Sequence, residues 1–180
     1  GAYSAAQFGT AGGDFQYLAN GTDAPLLYDG TSFTAIDGAS SPSITGVATS
    51  GLSQVWSYSN RLFFVQGGTM KAWYLPVDQV GGAALSLSLA GVFTKGGALL
   101  FGAKWSLDAG DGLDDKCVFV STMGEVAIYS GSNPSVADSW ALDVSGPRRE
   151  RLRVEARDEG RRGGGCAGRR RVGRHGARRC

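Results

Sequence analysis

Arg61-Leu-Phe-Phe-Val-Gln66, then Gly67-Gly68, then Thr69-Met-Lys-Ala-Trp-Tyr-Leu75 is the stretch whose reading decides the fold. Two short apolar runs flank a glycine pair, and glycine supplies the positive φ that a hairpin turn requires. The same arrangement recurs downstream, where Met123-Gly124 separates CVFVST from EVAIYS, and upstream, where Asp29-Gly30 lies between two further runs. Working outward, the expected strands are Phe15–Leu18, Pro25–Tyr28, Ser32–Ile36, Leu52–Ser57, Arg61–Gln66, Met70–Leu75, Leu85–Leu89, Ala98–Leu107, Cys117–Thr122, Glu125–Ser130 and Trp140–Val144. LSLSL at 85–89 alternates strictly, as a half-buried strand does, and no stretch keeps a helical period beyond two turns. Close-spaced strands with Gly, Asn and Asp between them suit a sandwich, a barrel or a propeller.

A degenerate repeat favours the propeller. Trp56-Ser57 leads through a loop into RLFFVQ, a Gly turn and a strand ending Trp73-Tyr74; Trp105-Ser106 leads through a longer loop into CVFVST, a Gly turn and a strand ending Ile128-Tyr129. The Trp-Ser pairs stand 49 residues apart, the tyrosines Tyr74 and Tyr129 stand 55 apart, and the difference is assigned to the Asp/Gly loop 108–115. Tyr28-Asp29-Gly30 matches Tyr129-Ser130-Gly131 at 101 residues, about two periods. Periods of about 40–55 residues built of four short strands mark propeller blades. The expected fold is therefore all-β: an incomplete β-propeller of about two and a half to three four-stranded blades over 1–146, followed by a disordered Arg/Gly-rich tail at 147–180. A ring that does not close exposes strand edges before Phe15 and after Val144, which is expected of an interior piece of a longer protein or of an open blade stack.

Charge divides the chain at the same place. Of its 180 residues, 147–180 hold 13 Arg, no Lys and 4 acids, whereas 1–146 hold 5 basic and 12 acidic residues, a net −7. Every Trp, Tyr and Phe lies in the first part. No apolar run approaches the ~20 residues of a membrane span, and no signal peptide is visible. Three widely spaced Cys make no disulfide framework. The one histidine, His175, lies in the tail, so the body offers no Ser-His-Asp triad, Cys-His pair or His-bound metal. Arg without Lys is what GC-rich DNA read out of frame produces. The tail is read as frameshifted or non-native, with a segment of no specific role and an Arg/Gly nucleic-acid arm as the other readings.

Residues 59–82 and 100–140, with Asn60-Arg61-Leu62-Phe63-Phe64 before the Gly turn and NGTDAPLLYDGTSF at 20–33, resemble virion proteins of tailed phages and prophages. The similarity is to the podovirus-type tail nozzle (tail tubular) and packaged-DNA stabilisation proteins, which bear β-propellers, and it covers about 15–144. It implies a non-enzymatic tail component made in the bacterial cytoplasm and carried in the virion. It also implies other tail and portal proteins as partners, a homo-oligomeric ring in the full-length form, and DNA passing without specific binding. The acidic body would suit a channel wall that repels phosphates, with its carboxylates facing the lumen. The alternative is a carbohydrate-binding or host-surface-recognition propeller, marked by aromatics on an exposed concave face beside carboxylates.

No catalytic, cofactor or metal residue is assigned. Asp108, Asp111, Asp114 and Asp115 are the densest acids and suit calcium by chemistry, but the spacing is not that of an EF-hand, and a solvated hairpin loop is the plainer reading. Glu125, the body's one Glu, would need Asp143 or Asp138 within about 5–10 Å to act as a glycosidase pair. It opens a strand after a Gly turn, where an exposed charge is ordinary. Trp56, Trp73, Trp105 and Trp140, with Tyr58, Tyr74 and Tyr129, read as core between blades rather than as a stacking surface. Asn20-Gly21-Thr22 fits a glycosylation triplet but reads as a hairpin loop, Cys117 as a small core residue, and Gly110-Asp111-Gly112 as no phosphate cradle because no helix follows.

Overall fold

A computed structural model describes residues 2–108 and 113–147. The expectations for the Arg-rich segment and for Gly110-Asp111-Gly112 lie outside those residues. Within them the chain is all-β: fourteen strands, two three-residue 3-10 turns and no α-helix among the described residues. Three four-stranded antiparallel sheets carry the fold, each connected in chain order. Sheet A is β1 (Ser4–Thr10), β2 (Gly13–Ala19), β3 (Leu26–Tyr28) and β4 (Phe33–Ala35). Sheet C is β6 (Leu52–Tyr58), β7 (Arg61–Gln66), β8 (Lys71–Tyr74) and β10 (Leu85–Ser88). Sheet D is β11 (Leu99–Asp108), β12 (Leu113–Ser121), β13 (Glu125–Gly131) and β14 (Trp140–Pro147). The short strands β5 (Ile44–Thr45) and β9 (Gly82–Ala83) pair in parallel as sheet B.

Sheet C is the centre. Leu62, Phe63, Phe64 and Val65 of β7 are all fully buried, which alternation would forbid for a strand with one wet face. Leu62 and Phe64 join Leu52, Val55 and Leu75 in a core shared with Phe8, Tyr17 and Leu27 of sheet A. Phe63 and Val65 join Trp56, Tyr58 and Tyr74 in a second core shared with Cys117, Phe119 and Tyr129 of sheet D. Successive side chains of β7 thus feed different cores, and each fully buried one contributes about 1.5–3 kcal/mol.

The first strands of the three sheets are tied in the same way twice. Ser4 Oγ donates to the Val55 carbonyl at 3.3 Å and accepts the Val55 N–H at 3.2 Å. Gln54 Nε2 donates to the Gly102 carbonyl at 2.8 Å, and its Oε1 accepts the Gly102 N–H at 2.7 Å. Each tie satisfies a backbone pair that no strand covers. Gly102 is required there because a Cβ would overlap the Trp56 indole.

These ties correct the register of the repeat. Both first strands carry a bulge, between Leu52 and Gln54 and between Leu99 and Phe101, so the true displacement is 47 residues rather than 49. Trp56 then matches Ala103, and Trp105 matches Tyr58. On the third strands Tyr74 matches Ile128, not Tyr129. Because the side-chain period is two, Tyr74 and Tyr129 belong to opposite faces of their sheets.

All eleven expected strands are present, with ends shifted by a few residues. The open edge expected before Phe15 is not there: β1 pairs with β2 from Ser4↔Ala19 to Thr10↔Gly13. SAAQFGT escapes a pattern reading because Phe8 is its one buried residue and Ala, Gly and Ser have little strand preference. The expected loop 108–115 is also shorter. Asp108 pairs with Leu113, Leu107 with Asp114 and Ser106 with Asp115, so the hairpin ladder runs into the acidic segment.

Candidate functional site

Glu125 departs most from expectation. It is 2% exposed rather than solvated. Its Oε1 accepts the Thr94 N–H at 3.0 Å and the Thr94 hydroxyl at 2.8 Å, and its Oε2 accepts the Lys95 N–H at 2.8 Å. Its own N–H donates to Ser121 Oγ at 3.1 Å. The carboxylate therefore clamps the 94–95 segment onto the start of β13. Burial pushes the carboxyl pKa up, but the Lys95 and Thr94 donors and the Lys95 charge outweigh it and hold the group below its ordinary value. The sign follows from linkage: the clamp's stabilisation is full above about 4.5, the ordinary glutamate value, and is lost as pH falls through the depressed one. Glu125→Gln should melt several degrees lower than the parent at pH 7. It should also show a shallower fall of Tm between about pH 5 and pH 3. Parallel Tm-against-pH curves for the two proteins would refute the clamp.

Asp115 and Asp143, the described acids with a lysine partner, are engaged separately. Asp115 is paired with Lys104 at 2.8 Å and accepts the Ser106 hydroxyl at 2.6 Å, and those two donors lower its pKa. Asp143 accepts from the Ser130 hydroxyl and pairs with Lys116 at 3.0 Å, which lowers its pKa. Ser130 stands five residues along β13 from Glu125, about 17 Å at strand rise, well beyond the separation of a glycosidase pair. No group of three or more candidate metal ligands occurs among the described residues. The calcium reading of Asp111 falls outside them.

The aromatics divide. Trp56, Tyr58, Tyr74 and Tyr129 are buried between sheets C and D, as core. Trp73 and Trp140 are half-buried against the two cores. Trp105 is 47% exposed, contrary to expectation. Cys117 is fully buried in the middle of β12, and burial pushes its thiol up to about 12. Asn20 Oδ1 accepts the N–H groups of Thr22 and Asp23, so the Asn-Gly-Thr triplet is a tight turn between β2 and β3.

Trp105 belongs to a larger feature. The face of sheet D turned away from sheet C carries three rows read across the strands: Phe101–Val120–Val126, Ala103–Val118–Ile128 and Trp105–Lys116–Ser130. By the 47-residue register the first two match Gln54–Val65–Ala72 and Trp56–Phe63–Tyr74 of sheet C, the face that sheet D covers. On sheet C the matching residues other than Gln54 are buried; on sheet D, Phe101 is 39% exposed and Ala103, Val118, Val120, Val126 and Ile128 are half-buried. Sequence periodicity finds these strands but not which face lacks a partner, since that depends on which sheet follows. No family model matches the chain, and neither does any curated protein or solved structure.

Proposed function

We propose that this chain is a non-enzymatic structural component of a tailed-phage or prophage virion. In this reading sheets A, C and D are consecutive propeller blades, and the chain positions neighbouring subunits around the tail's DNA channel. One observation carries the reading. Two rows on the free face of sheet D occupy, position for position, the places of the rows by which sheet C packs on its neighbour, and they are apolar throughout. An apolar sheet face of that kind is built to take another sheet. Paired ties between first strands, from Ser4 and from Gln54, support the blade arrangement, because inner strands that lie side by side around an axis are what propellers have. The partners are other tail and portal proteins, or a second copy joined at the sheet D face. The acidic body suits passage of DNA without binding it.

The full chain should self-associate on light scattering at micromolar concentration, and Phe101→Glu with Trp105→Glu should return it to monomer with the melting temperature little changed. A parent protein that is monomeric throughout would refute the stacking face. Neighbouring genes encoding tail and portal proteins are expected; a purely metabolic neighbourhood would overturn the virion assignment.

A further inference from the structure

The opposite end of the stack is chemically different. Sheet A also has a face turned away from sheet C, and one row on it crosses all four strands: Gln7 (β1), Gln16 (β2), Tyr28 (β3) and Phe33 (β4), each directly opposite the next. Tyr28 and Phe33 stack at 4.7 Å between centroids, 32° apart in tilt, and Phe33 is 59% exposed. The tyrosine ring is held in place, since its hydroxyl donates to the Gly30 carbonyl at 2.9 Å. The Asp29 carboxylate fixes the hairpin beneath by accepting from the Thr31 and Ser32 N–H groups, both at 2.8 Å. Neither Gln7 nor Gln16 has a side-chain partner among the described residues. Gln7, Gln16, Tyr28 and Asp14 line a trough of about 550 Å³ together with Phe8 and Phe15 of the other face, and Phe33 adjoins it through its stack on Tyr28.

We propose that this row is a binding site for a neutral oligosaccharide. A pyranose ring offers an apolar C–H face, which stacks on an aromatic platform, and equatorial hydroxyls that pair with carboxamides and carboxylates. The row provides both in one line, over about three strand spacings or 14 Å, the length of two to three sugar rings. Another sheet does not suit this face, because it would bury two unpaired carboxamides and the Asp14 carboxylate. Nucleic acid does not suit it either. Residues 1–36 contain no Lys or Arg and three Asp, so the surface repels phosphate while tolerating an uncharged glycan. The site is independent of the stacking face on sheet D, so either can fail without the other.

The test uses the full chain, with cello-, malto-, chito- and manno-oligosaccharides of four units as probes. A thymidylate oligomer and a proline-rich peptide serve as competing classes. At least one oligosaccharide should shift the backbone amide signals of Gln7, Gln16 and Phe33 saturably, with millimolar or tighter affinity. Phe33→Ala should weaken that binding at least tenfold while the melting curve stays unchanged, because the ring is exposed. Gln16→Ala should also weaken it, and Trp105→Ala should not. No saturable shift from any of the four up to about 10 mM would overturn the proposal. Binding that survives Phe33→Ala, or shifts produced only by the peptide or the thymidylate, would do the same.

Discussion

Phe63→Ala is expected to remove most of the stability of the chain. The ring is fully buried on β7, the strand that serves both cores. It stacks on Trp56 at 5.4 Å, on Tyr74 at 5.5 Å and on Trp140 at 6.4 Å, and meets Tyr58 edge-on at 6.1 Å. Those rings come from three strands, β6 (Trp56 and Tyr58), β8 and β14, so one side chain joins sheet C to sheet D. Truncating a buried phenylalanine to alanine costs about 3–5 kcal/mol, and domains of this size have about 5–15 in all. Packed aromatic pairs add about 0.5–1.5 kcal/mol each beyond area. Urea unfolding should show a midpoint at half the parent value or less, with near-UV ellipticity lost first. Phe63→Leu, which keeps most of the volume, should recover much of the loss. A midpoint for Phe63→Ala within a tenth of the parent's would mean that the two sheets are held by something other than this aromatic cluster.

The contrast between Phe63 and Trp105 shows how far the sequence could be read. Hairpins are local, and Gly67-Gly68 between two apolar runs announces one without knowledge of the rest of the chain. Strand existence followed from such signals everywhere except β1, β5 and β9, whose small residues and short length leave no pattern. Register is less local. The bulge shared by β6 and β11 fixes their displacement at 47 residues rather than the 49 of the Trp-Ser pairs, and nothing in the composition marks a bulge. Burial is less local still. Tyr58 and Trp105 occupy the same position of successive sheets, yet one is covered and the other open, because only sheet C has a sheet on each side. Glu125 fails for a similar reason. Its buried position depends on Thr94 and Lys95, about thirty residues earlier, whose backbone donors no motif reveals. The row Gln7–Gln16–Tyr28–Phe33 is assembled only when three registers are known together.

Gly131→Ala should be nearly as damaging as the loss of Phe63, by a different route. Gly131 has a φ of 107°, a conformation that side-chain-bearing residues rarely adopt. It pairs with Trp140 at the start of β14, and a Cβ there would overlap the carbonyl oxygen of Ser139. The atom in the way is backbone, so rotating a side chain gives no relief. The Ser139–Trp140 segment must move, and Trp140 must leave its stack on Tyr129, now 5.0 Å away and 14° from parallel. Tyr58 loses as well, because its hydroxyl donates to the Gly131 carbonyl at 2.6 Å. Left-handed strain together with a forced backbone shift falls in the range of about 3 kcal/mol or more. For a domain of this length that is a Tm lower by about 10 °C. The damage should be confined to one side of the stack. Amide exchange should accelerate in β13 and β14 and around Tyr58, while Tyr17, Ala19 and Leu27, which face the other core, keep their protection. Tryptophan emission should shift to the red as Trp140 is wetted. An alanine variant that melts within about 2 °C of the parent would mean that β14 tolerates displacement, and that Trp140 does not close the core between sheets C and D.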